Sequence, residues 1–171
     1  KKKRKMAEKD KITKEELKNK GIFDFSGLYN YAYEYFRTEG YGVNEDEYAE
    51  KIAGECRDVK VKWKATKGVS DYFKFEIKFE IGIRGMSDVE VEIDGQKKQM
   101  NKGEIKFKIE GFLVKDPKSK WENSAFERFL RDVYNKYIVP NRVDDMEDIL
   151  LGDIRSLKDE LKALMDHKAR R

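Results

Sequence analysis

The chain is poor in the residues on which protein chemistry most often rests. It holds one cysteine, Cys56, and one histidine, His167. A lone cysteine excludes an internal disulfide and fits a reducing compartment. One histidine in a basic C-terminal segment and one cysteine on an expected core face exclude the convergent ligand set of a zinc site. No run approaches the roughly 18 consecutive apolar residues of a membrane span, and no signal-peptide apolar core is present. A cytoplasmic protein with no membrane partner is therefore expected.

Nucleotide-loop patterns are missing as well. The GYG at 40–42 reads as a helix stop, not a phosphate cradle. Hydroxyl residues are few, and Ser26 and Ser124 stand where helix N-caps belong. Asp144, Asp145, Glu147 and Asp148 fall in the first turn of an expected helix, where the macrodipole favours carboxylates, and the glycine of a calcium loop is absent. No catalytic residue, metal ligand or cofactor is expected, and the chain does not read as an enzyme.

Charge and aromatic side chains are what the sequence has in quantity. Charged residues make up 42% and aromatic residues 12%, a combination that favours a folded chain over disorder. The formal net charge of +4 is unevenly spread. Residues 1–20 carry ten Lys or Arg against four acids, so the rest of the chain is slightly acidic. This divides the chain into a basic tail, 1–20, expected to be disordered, and a single α+β domain, 21–171. The run Lys1, Lys2, Lys3, Arg4, Lys5 resembles the core of a nuclear-import signal, which would direct the protein to the nucleus. It also reads as a tag ahead of an ordinary start at Met6-Ala7.

Periodicity predicts the elements. Leu28, Tyr31, Ala32, Tyr35 and Phe36 keep helical spacing behind Ser26, and Gly40 ends them. Asn44 and Glu47 form a capping-box pattern, predicting a second helix with Tyr48, Ile52 and Cys56 on one face. From Asp58 the period changes to two. Strands are expected at DVKVKWKAT, at YFKFEIKFEIGIR, at DVEVEI and at EIKFKIEGFLV, joined by turns that include Asp94-Gly95 and the NKG at 101–103. Two helices follow, one with Phe126, Phe129, Leu130, Val133, Tyr134, Tyr137 and Ile138 on a stripe, the other running from about Val143 to Met165. The expected fold is a two-layer α+β domain: an antiparallel four-stranded meander covered on one face by N-terminal and C-terminal helices, in the order α-α-β-β-β-β-α-α.

The uncovered sheet face poses the functional question. Its strands present Lys60, Lys62 and Lys64, then a mixed row, then an acidic row, then a mostly basic row. Opposite charges facing each other across strands set register and keep such a face soluble. The competing reading makes Lys60, Lys62 and Lys64, with the tail bases Lys1–Lys5, a nucleic-acid or ribosome interface. In the last helix, Leu150, Ile154, Leu157, Leu161 and Leu164 form a narrow seam, suited to a protein partner or self-association and equally to packing on the chain's own sheet. The primary expectation is a non-catalytic protein-interaction or assembly module. A nucleic-acid-associated protein and a small apolar-ligand carrier are the alternatives.

Overall fold

The long alternation around YFKFEIKFEIGIR forms a strand that runs on past Gly82 and Gly85 into the DVEVEI segment. The computed structural model describes residues 8–70, 72–115, 124–137 and 139–169. In chain order the elements are β1 (Glu8–Phe23), α1 (Phe25–Thr38), β2 (Gly42–Ala53), β3 (Cys56–Gly68), β4 (Phe73–Ile93), β5 (Gln96–Lys115), α2 (Ala125–Tyr137) and α3 (Val139–Ala169). The strands form one antiparallel sheet in the order β1-β5-β4-β3-β2.

This corrects the expected four-stranded meander with paired helices at each end. The sheet has five strands, a single helix precedes the β2–β5 meander, and β1 returns to the sheet beside β5. Residues 8–20, grouped with the basic tail by their charge, belong to β1; residues 1–7 lie outside the described residues. The apolar signal of β1 is sparse, and a bulge between Lys11 and Thr13 shifts its alternation out of phase halfway along. Register with β5, Lys14 opposite Glu110 and Glu16 opposite Lys108, makes this charged segment a strand.

The second expected helix is β2. Tyr48 and Ile52 fit a helical step, but Asn44 and Glu47 cap nothing: the segment pairs with β3, Val43 opposite Ala65 and Tyr48 opposite Val61, with a shift between Glu45 and Glu47. Gly54, at φ 65°, permits the two-residue turn to β3. Cys56, expected in the core, is exposed beside that turn.

The second and third expected strands are one, β4, joined through a bulge between Arg84 and Ser87 at Gly85 (φ 60°). Asp94 and Gly95, at φ 52° and 78°, make the tight turn into β5. The NKG segment does not turn. It lies within β5, where a Cβ on Gly103 would come within 3.0 Å of the Arg84 carbonyl, so glycine lets two backbones approach at the bulge.

Helices α1 and α3 cover one face of the sheet. Asp24, not Ser26, caps α1, accepting from the Gly27 amide at 3.1 Å. Leu28, Ala32 and Phe36 of α1 join Trp63, Phe79 and Phe107 in the core, with Trp63 stacked on Phe79 at 5.3 Å between ring centroids. From α3, Leu150, Ile154, Leu157 and Leu161 are fully buried, each contributing about 1.5–3 kcal/mol of burial. Gly111 of β5 makes this approach possible, since a Cβ there would run into Ile154. Tyr41 and Tyr35 donate to the Asp153 carboxylate and carbonyl, both at 2.8 Å, tying the end of α1 to α3.

Candidate nucleic-acid interface

Strand alternation turns the other face to solvent, and among the described residues no helix lies across it. Following the register across β1, β5, β4, β3 and β2 gives the charge pattern rung by rung. One rung reads Glu16, Lys108, Glu80, Lys62, Glu47, alternating in sign throughout. Two rungs along, another reads Lys20, Glu104, Arg84, also alternating. Such pairs contribute about 0.2–1 kcal/mol each and fix the register.

Direct ion pairs repeat one motif, an acid held between two lysines. Glu110 sits 3.0 Å from both Lys11 and Lys108. Glu16 pairs with Lys14 at 3.3 Å and Lys106 at 3.6 Å. Glu76, the one buried charged side chain among the described residues, pairs with Lys9 and with Lys64 at 3.1 Å. Hydrogen bonds from Lys11 and Lys108 hold the Glu110 carboxyl down at about 2. Burial pushes Glu76 up, but its bonds to Lys9 and Lys64 outweigh this and leave it below the ordinary value.

Bases still outnumber acids on the face. Over Lys9–Lys20, Lys60–Lys64, Lys74–Arg84 and Glu104–Glu110 it carries thirteen basic side chains and five acids, and Asp46 and Glu47 of β2 and Asp58 of β3 raise the acids to eight. Five of those bases come from β1. A depression of about 490 Å³ lies between Lys18, Lys60, Arg84 and Lys106, and another of about 330 Å³ is lined by Lys62, Lys78 and Lys108 together with Asp46, Glu80 and Glu110. Phe112 adds an aromatic ring to the face, with the Lys9 and Lys78 ammonium groups 4.4 and 5.2 Å from its centroid.

Of the residues singled out from sequence, Lys60, Lys62 and Lys64 stand on this face in β3, Lys60 exposed and the other two half-buried. Lys62 reaches Glu47 at 3.7 Å and Lys64 reaches Glu76. Lys1, Lys2, Lys3, Arg4 and Lys5 lie outside the described residues. The seam residues Leu150, Ile154, Leu157 and Leu161 are buried against the chain's own sheet, and Leu164 is half-buried beside them. The four buried leucine and isoleucine side chains offer no free surface on the folded chain.

Sequence reasoning missed Lys11, Lys14, Lys18 and Lys20 as members of the same face. The signal was there, as alternating charge from Lys14 to Lys20, but it carries little apolar content and the bulge breaks its phase.

Other parts of the molecule supply less. No group of three His, Cys, Asp or Glu suited to a metal occurs among the described residues, and no helix there is long and apolar enough to cross a membrane. The apolar cleft between α1 and the end of α3, lined by Phe23, Leu28, Tyr31, Leu164 and Met165, has a volume of about 130 Å³, below the roughly 300–1,000 Å³ of small-molecule sites. Comparison with protein-family models, with curated proteins and with solved structures finds no match.

Proposed function

We propose that the chain is a non-catalytic nucleic-acid-binding module that engages the phosphate backbone with the open face of its sheet. The observation that carries this is the excess of thirteen bases over eight acids, Asp46, Glu47 and Asp58 included, on one uncovered surface. Lysines two residues apart on a strand project to the same side at intervals of about 6.6–6.8 Å, so Lys60, Lys62 and Lys64 form a regular cationic row. Backbone contacts of this kind give affinity and position without reading sequence. The two-to-one bracketing of Glu16, Glu76 and Glu110 also keeps the lysines extended and ordered before a polyanion arrives, which lowers the entropy cost of binding.

Fluorescence anisotropy of a labelled single-stranded oligonucleotide across a salt series tests this. Binding should weaken steeply with salt, and the triple change Lys60→Gln, Lys62→Gln, Lys64→Gln should lower the slope of log K against log salt by about 2, near 0.7 per contact. Salt-independent binding, or a triple variant indistinguishable from wild type, would remove the proposal.

A second reading, a protein-interaction module, rests on α2. Phe126 and Phe129 are 67% and 61% exposed, and Leu130 and Val133 of the same helix and Ile149 of α3 are exposed too. Large exposed apolar patches mark interaction sites. Light scattering of the wild type and of Phe126→Ser/Phe129→Ser checks this reading. Concentration-dependent mass that the double change abolishes supports it, and an invariant monomer in both counts against self-association.

A further inference from the structure

One rung of the basic face departs from the alternation around it. Across the sheet it reads Lys18, Lys106, Gly82, Lys60, Ala49, three lysines and no acid. Lys18 and Lys106 face each other directly, a like-charge pairing that costs stability. Lys106 has Glu16 at 3.6 Å, whereas Lys18 and Lys60 make no ion pair with another described residue. The rungs on either side carry acids at the corresponding central strands, Glu104 on one and Glu80 on the other.

Gly82 gives this rung its shape. It sits between Lys106 and Lys60 in an interior strand, where glycine is unfavourable, and a Cβ built on it meets nothing within 4 Å. Packing of the protein itself therefore does not require glycine at this position. Its effect is to drop the floor of the sheet between two lysines, and the depression of about 490 Å³ lies there. Lys18, Lys60, Lys106 and Arg84 rim it, while Glu80, Glu104 and Asp58 also border it. Asp58 is occupied, accepting the Gly85 amide at 2.8 Å. Glu80 lies between Lys62 and Lys108 in register, and Glu104 between Arg84 and Lys20. The acids are thus matched within their own rungs and the three lysines are not.

We infer that the Gly82 rung is a phosphate subsite, in which Lys18, Lys60 and Lys106 converge on one backbone phosphate of a bound nucleic acid seated over the glycine. The inference rests on the nucleic-acid reading for the identity of the polymer, but the subsite has its own test. Gly82→Val fills the floor without changing any charge, and valine suits an extended interior strand.

In the anisotropy assay Gly82→Val should weaken oligonucleotide binding at least about tenfold, the loss expected for hydrogen bonds to a charged group, and lower the salt slope by about 0.7, one phosphate. Lys18→Gln, on an exposed edge position, should do the same. Inorganic pyrophosphate titrated into the full-length wild type should shift the amide resonances of Gly82, Lys60 and Lys106, and should leave them unmoved in Gly82→Val.

Unchanged affinity and slope in a folded Gly82→Val, beside a weakened Lys60/Lys62/Lys64 triple variant, would overturn the subsite and leave the nucleic-acid reading standing. A wild type that binds no oligonucleotide but whose Gly82 rung responds to pyrophosphate would support the phosphate subsite and remove the polymer. Absence of any pyrophosphate response at this rung in the wild type would overturn the subsite.

Discussion

Replacing Gly111 by valine should loosen α3 from the sheet. Gly111 lies opposite Thr13 of β1 and Ile77 of β4, on the face that α3 crosses. A Cβ at this position would collide with the end of Ile154 and lie 3.4 Å from Leu150, and both of those side chains are fully buried. The colliding atom is the end of the Ile154 side chain, so Ile154 must change rotamer inside the core or the helix must lift. Overpacking of this kind costs about 1–3 kcal/mol, and valine's strand propensity offsets only a few tenths. The upper half of that range is expected here, because a lifted α3 also gives up burial at Leu157 and Leu161.

For a chain of this length about 2–3 kcal/mol corresponds to a fall in Tm of roughly 4–12 °C. The assay is thermal and urea unfolding followed by circular dichroism, on four proteins: wild type, Gly111→Val, Ile154→Ala and the double variant. Ile154→Ala alone should cost about 2–5 kcal/mol through the cavity it leaves. The double variant should cost less than the sum by at least about 1 kcal/mol, because valine then occupies the vacated volume. A neutral Gly111→Val, or strictly additive single changes, would refute the placement of α3 over this strand.

Two further outcomes follow from the same packing and charges. Leu157→Glu places a carboxylate at a fully buried position of α3 and should unfold the protein or cost more than about 3 kcal/mol; light scattering of a folded, merely dissociated variant would show instead that the seam serves self-association. The lowered pKa values of Glu110 and Glu76 mean that the folded state binds protons less readily than the unfolded chain. Their stabilisation is complete above the ordinary carboxylate value of 4.5 and is lost as pH falls through the folded values, toward about 2 for Glu110. Urea unfolding of Glu110→Gln between pH 6 and pH 2 should show a shallower acid decline than wild type, and identical slopes would contradict the pairing with Lys11 and Lys108.

Which parts of this molecule were legible depended on how much apolar surface each segment commits to one side. Phe73, Phe75, Ile77, Phe79 and Ile81 announce β4, and Leu150, Ile154, Leu157 and Leu161 announce α3, because strict periods of large apolar residues have one reading each. The Asp94-Gly95 turn was equally plain, since both residues adopt positive φ. Segments with one or two apolar residues per turn had two readings. Tyr48 and Ile52 satisfy a helical step and a strand alternation alike, and pairing with β3 decides between them. In β1 the apolar Ile12 is the bulged residue and Leu17 follows it in the shifted phase, so charge hid a strand that its partner across the sheet specifies. The functional surface was half legible for the same reason. Lys60, Lys62 and Lys64 alternate with Val59, Val61 and Trp63 and could be placed on the solvent side from sequence, whereas the five β1 lysines joined them only once β1 paired with β5.

Lysine acetylation footprinting of the full chain, with and without a saturating single-stranded oligonucleotide, tests the basic-face proposal most directly. Mass spectrometry reads each lysine separately, and the exposed Lys97 and Lys98 of the β4–β5 hairpin and Lys162 of α3 serve as internal references away from the face. The account predicts protection at Lys18, Lys60, Lys62, Lys64 and Lys106, and unchanged labelling at Lys97, Lys98 and Lys162. Protection confined to Lys97, Lys98 or Lys162, or no protection at any of the five, would contradict it.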